Sequence, residues 1–183
     1  MTASEGPVEE GPVEEGPSED DLAAVARQLG RPARGVAAVA HRCTCGLPDV
    51  VRTRPRLPDG TPFPTTFYLT CPRAASAVGT LEASGLMREM SDRIAADPEL
   101  AAAHRAAHED YLARRAALGE EVPEIAGVSA GGMPTRVKCL HVLLAHSLAA
   151  GPGVNLLGDE VARQLGDWGA AGPCVGAEGC AGS

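Results

Sequence analysis

Gly35-Val36-Ala37-Ala38-Val39-Ala40, then His41-Arg42-Cys43-Thr44-Cys45-Gly46 and Val50-Val51-Arg52-Thr53, is the stretch whose reading decides the fold. A short apolar run, a thiol-bearing turn and a second β-prone run read as two strands joined by a tight connection. Beyond them Leu57-Pro58-Asp59-Gly60-Thr61-Pro62 is dense in turn residues, and Phe63 through Thr70 is a further β-rich run holding most of the aromatics. Together these segments predict a small antiparallel sheet between residues 36 and 70. The rest of the pattern is helical, so the expected class is α+β, a small antiparallel sheet packed against a mainly helical domain with a central buried helix.

Upstream, Ser18 followed three residues later by Asp21 makes a capping-box start, and Leu22, Val25 and Leu29 recur at helical spacing until Gly30 stops the run. Downstream, Cys71-Pro72 puts a proline at a first helical position, so Cys71 is expected to cap a helix running through Val78 and Leu81 towards Gly85. Another helix starts near Leu86 with Met87, Met90 and Ile94 on one side and breaks at Asp97-Pro98. From Pro98 to Leu118, Leu100, Ala103, Ala107 and Tyr111 recur at threes and fours, as an amphipathic helix requires. Residues 119 to 132 read as loop. The next helix is expected from about Pro134 to Ala149, apolar on both sides, with Cys139, Val142, Leu143 and His146 on one of them, which is the signature of an element in the middle of its domain. A short helix over Asp159 to Leu165 and a Gly-rich irregular end complete the pattern.

Composition bounds the organisation. The first 21 residues hold eight of the 24 acidic residues and none of the 16 basic ones, so the net charge of -8 belongs to the tail. A repeated Gly-Pro-Val-Glu-Glu within it offers too little apolar surface to offset the entropy of ordering. The expected division is a disordered tail over 1–18, a single globular domain over 19–175 and a flexible end over 176–183. A charge-balanced domain excludes a global basic field, and with it nucleic acid as a first expectation. No run is long and apolar enough for a membrane span and the acidic start is unlike a signal peptide, so the expected location is the cytoplasm. There, six cysteines read as free thiols, metal ligands or redox groups rather than a disulfide framework.

Three segments together resemble the bacterial family catalogued as domain of unknown function 501, familiar in actinobacteria. The first runs from Arg42-Cys43-Thr44-Cys45-Gly46-Leu47-Pro48-Asp49 through Asp59-Gly60-Thr61-Pro62-Phe63-Pro64-Thr65 to Leu69-Thr70-Cys71-Pro72. The second is Ala107-His108 with Tyr111 and Arg115. The third is Gly131-Gly132-Met133-Pro134-Thr135-Arg136-Val137-Lys138-Cys139-Leu140-His141, with His146 and Asn155-Leu156-Leu157-Gly158. The resemblance implies motif positions without a reaction, so whether the protein is an enzyme stays open. Cys45 departs from the family pattern, in which only the first cysteine of the pair is expected.

Sulfur is the leading clue to function. Cys43, Cys71 and Cys139 each sit inside a motif, and Cys174 supplies a fourth thiol, with His141, His146 and Cys45 as alternates. Four thiolates suit zinc or an Fe–S cluster. The competing reading is a set of small buried hydrophobes, since free cysteine is among the most buried residue types. A second clue is the Gly-rich Gly131-Gly132 ahead of Thr135, Arg136 and Lys138, which at a helix start would attract a phosphorylated or carboxylate small molecule. In that alternative the protein is an enzyme or sensor with Cys139 or His141 as reactive group. His104 is expected on a solvated face, whereas His108, Tyr111 and Arg115 are expected to bond across to a loop. A partner-binding accessory protein without chemistry is the third class.

Overall fold

The computed structural model describes residues 16–176 of the 183. Most of the acidic tail, the end past residue 176 for which flexibility is expected, and Cys180 lie outside them. The fold is α+β. Helix α1 (Glu19–Leu29) begins where the sequence pattern puts it, with the Ser18 side chain accepting from the Asp21 amide and Asp21 answering at the Ser18 amide. Gly30, at φ 67°, closes it.

Strands β1 (Val36–Arg42), β2 (Pro48–Thr53) and β3 (Phe67–Leu69) form one antiparallel sheet in the order β1-β2-β3. In the central strand Val50 faces His41 on one side and Leu69 on the other. That placement buries Val50 and Val51, as two-sided cover demands. The β1–β2 ladder shifts register between Val36 and Ala38, Val39 and His41, and His41 and Arg42, the last of these beside the turn that carries Cys43 and Cys45.

The sheet is followed by α2 (Pro72–Ala83), α3 (Leu86–Ala96), α4 (Pro98–Ala116) and, after a loop with a turn of 3-10 helix at Pro123–Ile125, α5 (Leu140–Ala150). Helix α6 (Leu156–Leu165) packs on α5. Helix α5 is the central buried helix: Leu140, Leu143, Leu144, Ala145 and His146 are fully covered. It packs against α2, α6 and the sheet.

The structure corrects the start of that helix. It begins at Leu140 rather than Pro134, because residues 131–138 close on themselves. The Met133–Pro134 bond is cis, the Arg136 amide donates to Gly132 O at 3.1 Å and the Lys138 amide to Gly131 O at 2.7 Å. Gly132, at φ 92°, is required there: a Cβ would lie 2.8 Å from Arg136 O and 2.9 Å from Lys138 N. Cys139 is therefore an extended N-cap, not a residue on a helix face.

Two buried polar side chains are fully paired in the interior. His146 bonds Asp110 through Nε2 at 2.8 Å and Asn155 through Nδ1 at 3.2 Å, stacked on Phe67 and edge-on to Tyr111. Arg115 donates to Thr66 Oγ1 and to the carbonyls of Ile125, Val128 and Pro64, which ties α4 to both of its neighbouring loops.

Candidate functional site

The turn between β1 and β2 holds the first two thiols. The Cys43 amide donates to Leu47 O, the Gly46 amide to Cys43 O, and the Cys45 amide to Cys43 Sγ at 3.2 Å. This winding points both sulfurs the same way and brings Cys43 Sγ to 2.7 Å from Cys45 Sγ. Cys71, fully buried at the head of α2, enters through the proline that follows it, which starts the helix there.

The last thiol arrives from far away in sequence. After α6, the Asp167 carboxylate accepts from Thr44 Oγ1 at 2.6 Å and from the Gly169 amide at 2.9 Å. Gly169 lies so close over the turn that a Cβ would sit 2.2 Å from Thr44 Oγ1 and 2.8 Å from Cys43 Sγ. Arg73, on α2, then donates to Gly172 O and Pro173 O, and Gln28, on α1, donates to Cys174 Sγ at 3.3 Å and to Pro48 O at 2.6 Å. The Cys174 thiol so held interacts with those of both Cys45 and Cys71. Cys43, Cys45, Cys174 and Cys71, from three stretches of chain, thus form a row of neighbouring thiols, no three of which have their sulfurs all within 4.8 Å of one another among the described residues.

The electrostatics of these thiols are unequal. Burial and the neighbouring Cys45 push Cys43 up to about 12, and burial pushes Cys71 up to about 11 against the amides of Ala74 and Arg73. Burial also opposes ionisation of Cys45, but the Cys43 thiol, the amides of Leu47 and Cys174 and the Cys174 thiol outweigh it and lower its pKa. Asp49 adds a negative charge that acts on Cys43. It is fully buried, bonded to His41 at 2.7 Å through one oxygen, with the other oxygen unpaired.

Cys139 is not joined to this group by any hydrogen bond among the described residues. Its Sγ lies 3.9 Å from His141 Nδ1, and Glu82 Oε1 is 3.1 Å from the same nitrogen. Among the described residues, Glu82, Cys139 and His141 are the set of three such donors whose ligand atoms all lie within 4.8 Å of one another. Cys139 and His141 line a cleft of about 600 Å³ together with Gln28, Phe67, Tyr68 and Pro72. The bond to Cys139, opposed by burial and aided by Glu82, raises His141 to about 9.

The other expected residues fall elsewhere. His146 keeps both ring nitrogens for Asp110 and Asn155 and meets no thiol. His104 is buried against Arg136 O, not solvated, because α3 and α4 pack on that side. His108 bonds Ser129, Tyr111 accepts from the Thr66 amide, and Arg115 holds the loops described above. Thr135, Arg136 and Lys138 are exposed. Their segment does not open a helix: the Arg136 and Lys138 amides serve Gly132 and Gly131, and Val137 donates to Ser91 Oγ. The helix terminus itself receives an internal anion, since the Leu140 amide donates to Glu82 Oε1 at 2.7 Å. Glu82 is the residue that sequence reasoning missed. The available signal was its position in the last turn of α2, where a carboxylate opposes the helix dipole and needs a partner.

Fold and site define a thiol-rich α+β protein built around one buried helix. The chain belongs to the family described as protein of unknown function (DUF501), whose sequence profile matches residues 39–163. No curated protein and no solved structure matches it. Among the described residues no helix is long and apolar enough to cross a membrane.

Proposed function

We propose that the protein binds a metal through Cys43, Cys45, Cys71 and Cys174, with the alternate Cys45 taking the place that the sequence motifs suggested for Cys139. The observation that carries this reading is the succession of thiol contacts from Cys43 to Cys45, Cys45 to Cys174 and Cys174 to Cys71, which joins three separate stretches beside the Thr44–Asp167 and Gln28–Cys174 bonds. Backbone and side-chain amide N–H groups directed at sulfur favour thiolate over thiol. Several thiolates beside a buried Asp49 are mutually repulsive without a cation. Zinc or iron supplies that charge and deprotonates the buried thiols outright.

A single ion suits the close Cys43–Cys45 approach better than a cluster. Tetrahedral Zn–S bonds of about 2.3 Å separate sulfurs by about 3.8 Å, so one ion would part that contact by about 1 Å. Its role is to pin the C-terminal segment across the β1–β2 turn and the head of α2, a structural part rather than a reactive one, because all four positions are taken by protein.

The test is metal analysis of anaerobically purified full-length protein. One zinc or iron per chain is expected from this centre, retained in Cys139→Ser and lost in Cys45→Ser and Cys174→Ser. A metal-free, folded wild type in which these four thiols all react freely with a thiol reagent contradicts the reading.

A further inference from the structure

A separate set of donors stands at the rim of the cleft. Glu82 comes from the last turn of α2, Cys139 is the N-cap of α5 and His141 lies in its first turn. The His141 Nε2 atom is 3.1 Å from Ala75 O, an acceptor only, so that nitrogen carries a proton. Nδ1 faces Glu82 Oε1 at 3.1 Å, the ion pair of a protonated ring, with Cys139 Sγ 3.9 Å from the same nitrogen. A nitrogen, a carboxylate oxygen and a sulfur thus converge within 4.8 Å of one another, a place where a divalent cation can take over from the shared proton.

The surroundings are those of a metal-ligating histidine. A ligating ring usually donates its other N–H to a carbonyl or carboxylate, which fixes tautomer and orientation, and Ala75 O does this here. Glu82 is likewise oriented, by the Leu140 amide at 2.7 Å. A nucleophilic Cys–His–carboxylate triad fits less well: there the carboxylate holds the nitrogen opposite the one that faces the thiol, whereas here Glu82 and Cys139 share Nδ1.

We infer that Glu82, Cys139 and His141 form a second divalent-cation site of zinc type, with an open coordination position on the cleft. Three protein ligands of mixed S, N and O character with one position left free is the pattern of reactive rather than structural zinc. The side chains of His141 and Glu82 are 32% and 23% exposed, so the free position is reachable from solvent. It takes water or the oxygen of a carboxylate or carbonyl compound. The cleft walls contributed by Leu29, Phe67, Tyr68 and Val142 favour a ligand with an apolar part. The site shares no residue with the four-thiol centre and stands or falls without it.

The test is a cobalt(II) titration of the full-length protein as purified, followed by absorbance. A thiolate-to-cobalt charge-transfer band saturating at one added equivalent is expected, unchanged in Cys45→Ser and absent in Cys139→Ser. His141→Ala and Glu82→Gln each weaken cobalt binding at least tenfold. Glu82→Gln retains an oxygen for the Leu140 amide, so it separates loss of a ligand from loss of the helix cap. Absence of any band, or a band that survives Cys139→Ser and is indifferent to Glu82→Gln in folded protein, overturns the inference. A protein that binds cobalt here yet carries no metal as purified overturns only the four-thiol reading.

Discussion

Two histidines on one helix face opposite situations. His146, in the middle of α5, is fully buried between Phe67 and Tyr111, and each ring nitrogen has its own partner in Asp110 or Asn155. Burial holds its pKa below the ordinary 6.5. It is a neutral ring, donating at Nε2 and accepting at Nδ1. His141, at the head of the same helix, is partly exposed, raised to about 9 through Cys139 and Glu82, and has both of those groups on a single nitrogen. The same side chain serves one partner per nitrogen inside the core, whereas at the helix head one nitrogen meets both a carboxylate and a sulfur. Residue type alone does not separate structural from functional histidines; the count of partners per ring atom does.

The largest expected effect is at the satisfied end. His146→Ala removes a fully buried ring and takes one hydrogen-bond partner each from Asp110 and Asn155, so stability falls by about 3–5 kcal/mol in urea unfolding. A loss under about 1 kcal/mol would place the weight of that region on packing by Phe67 and Tyr111 instead. Next in size is Gly169→Ala. Its Cβ would collide with Thr44 Oγ1 and crowd Cys43 Sγ, lifting the C-terminal segment at a cost of about 1–3 kcal/mol and loosening metal retention, read by competition with a chelator.

The pH dependence of stability sharpens the contrast. With its folded pKa below 6.5, His146 is protonated in the unfolded chain before it is protonated in the folded one. Stability is therefore full above 6.5 and declines as pH drops from there towards the folded value, with a slope of up to about 1.4 kcal/mol per pH unit. Burial raises the Asp110 carboxyl, but its bonds to Arg114 and His146 outweigh this and hold it low. Its contribution is present above 3.8 and is lost as pH falls through its folded pKa. His146→Gln should flatten the first limb and reduce the second towards the share that Arg114 carries; an unchanged profile below 6.5 would mean that other groups carry it. The smallest effect is expected from His141→Ala, under about 1 kcal/mol in metal-free protein because the ring is part-exposed, while cobalt binding at the cleft is weakened.

Much of the frame was legible in the sequence. The Ser18–Asp21 box, the sheet between residues 36 and 70 and a buried helix through Leu143 and His146 follow from local chemistry and periodicity, and all three stand in the structure. What was not legible depends on contacts between distant segments. Gly131-Gly132-Met133-Pro134 has the composition of a helix start, yet the loop closes through its own carbonyls and the helix waits for Cys139. The exchange of Cys139 for Cys45 among the gathered thiols follows from that late start and from the path of residues 166–174, which has no periodicity to read. Glu82 acquires meaning only once the end of α2 meets the head of α5.

The central claim is that sulfur from Cys43, Cys45, Cys71 and Cys174 surrounds one metal ion. X-ray absorption at the metal edge of the anaerobically purified protein addresses it directly. The account predicts a first shell of four sulfurs at about 2.3 Å that persists in Cys139→Ser. A shell dominated by nitrogen and oxygen, or a sulfur shell that disappears only when Cys139 is replaced, would contradict it.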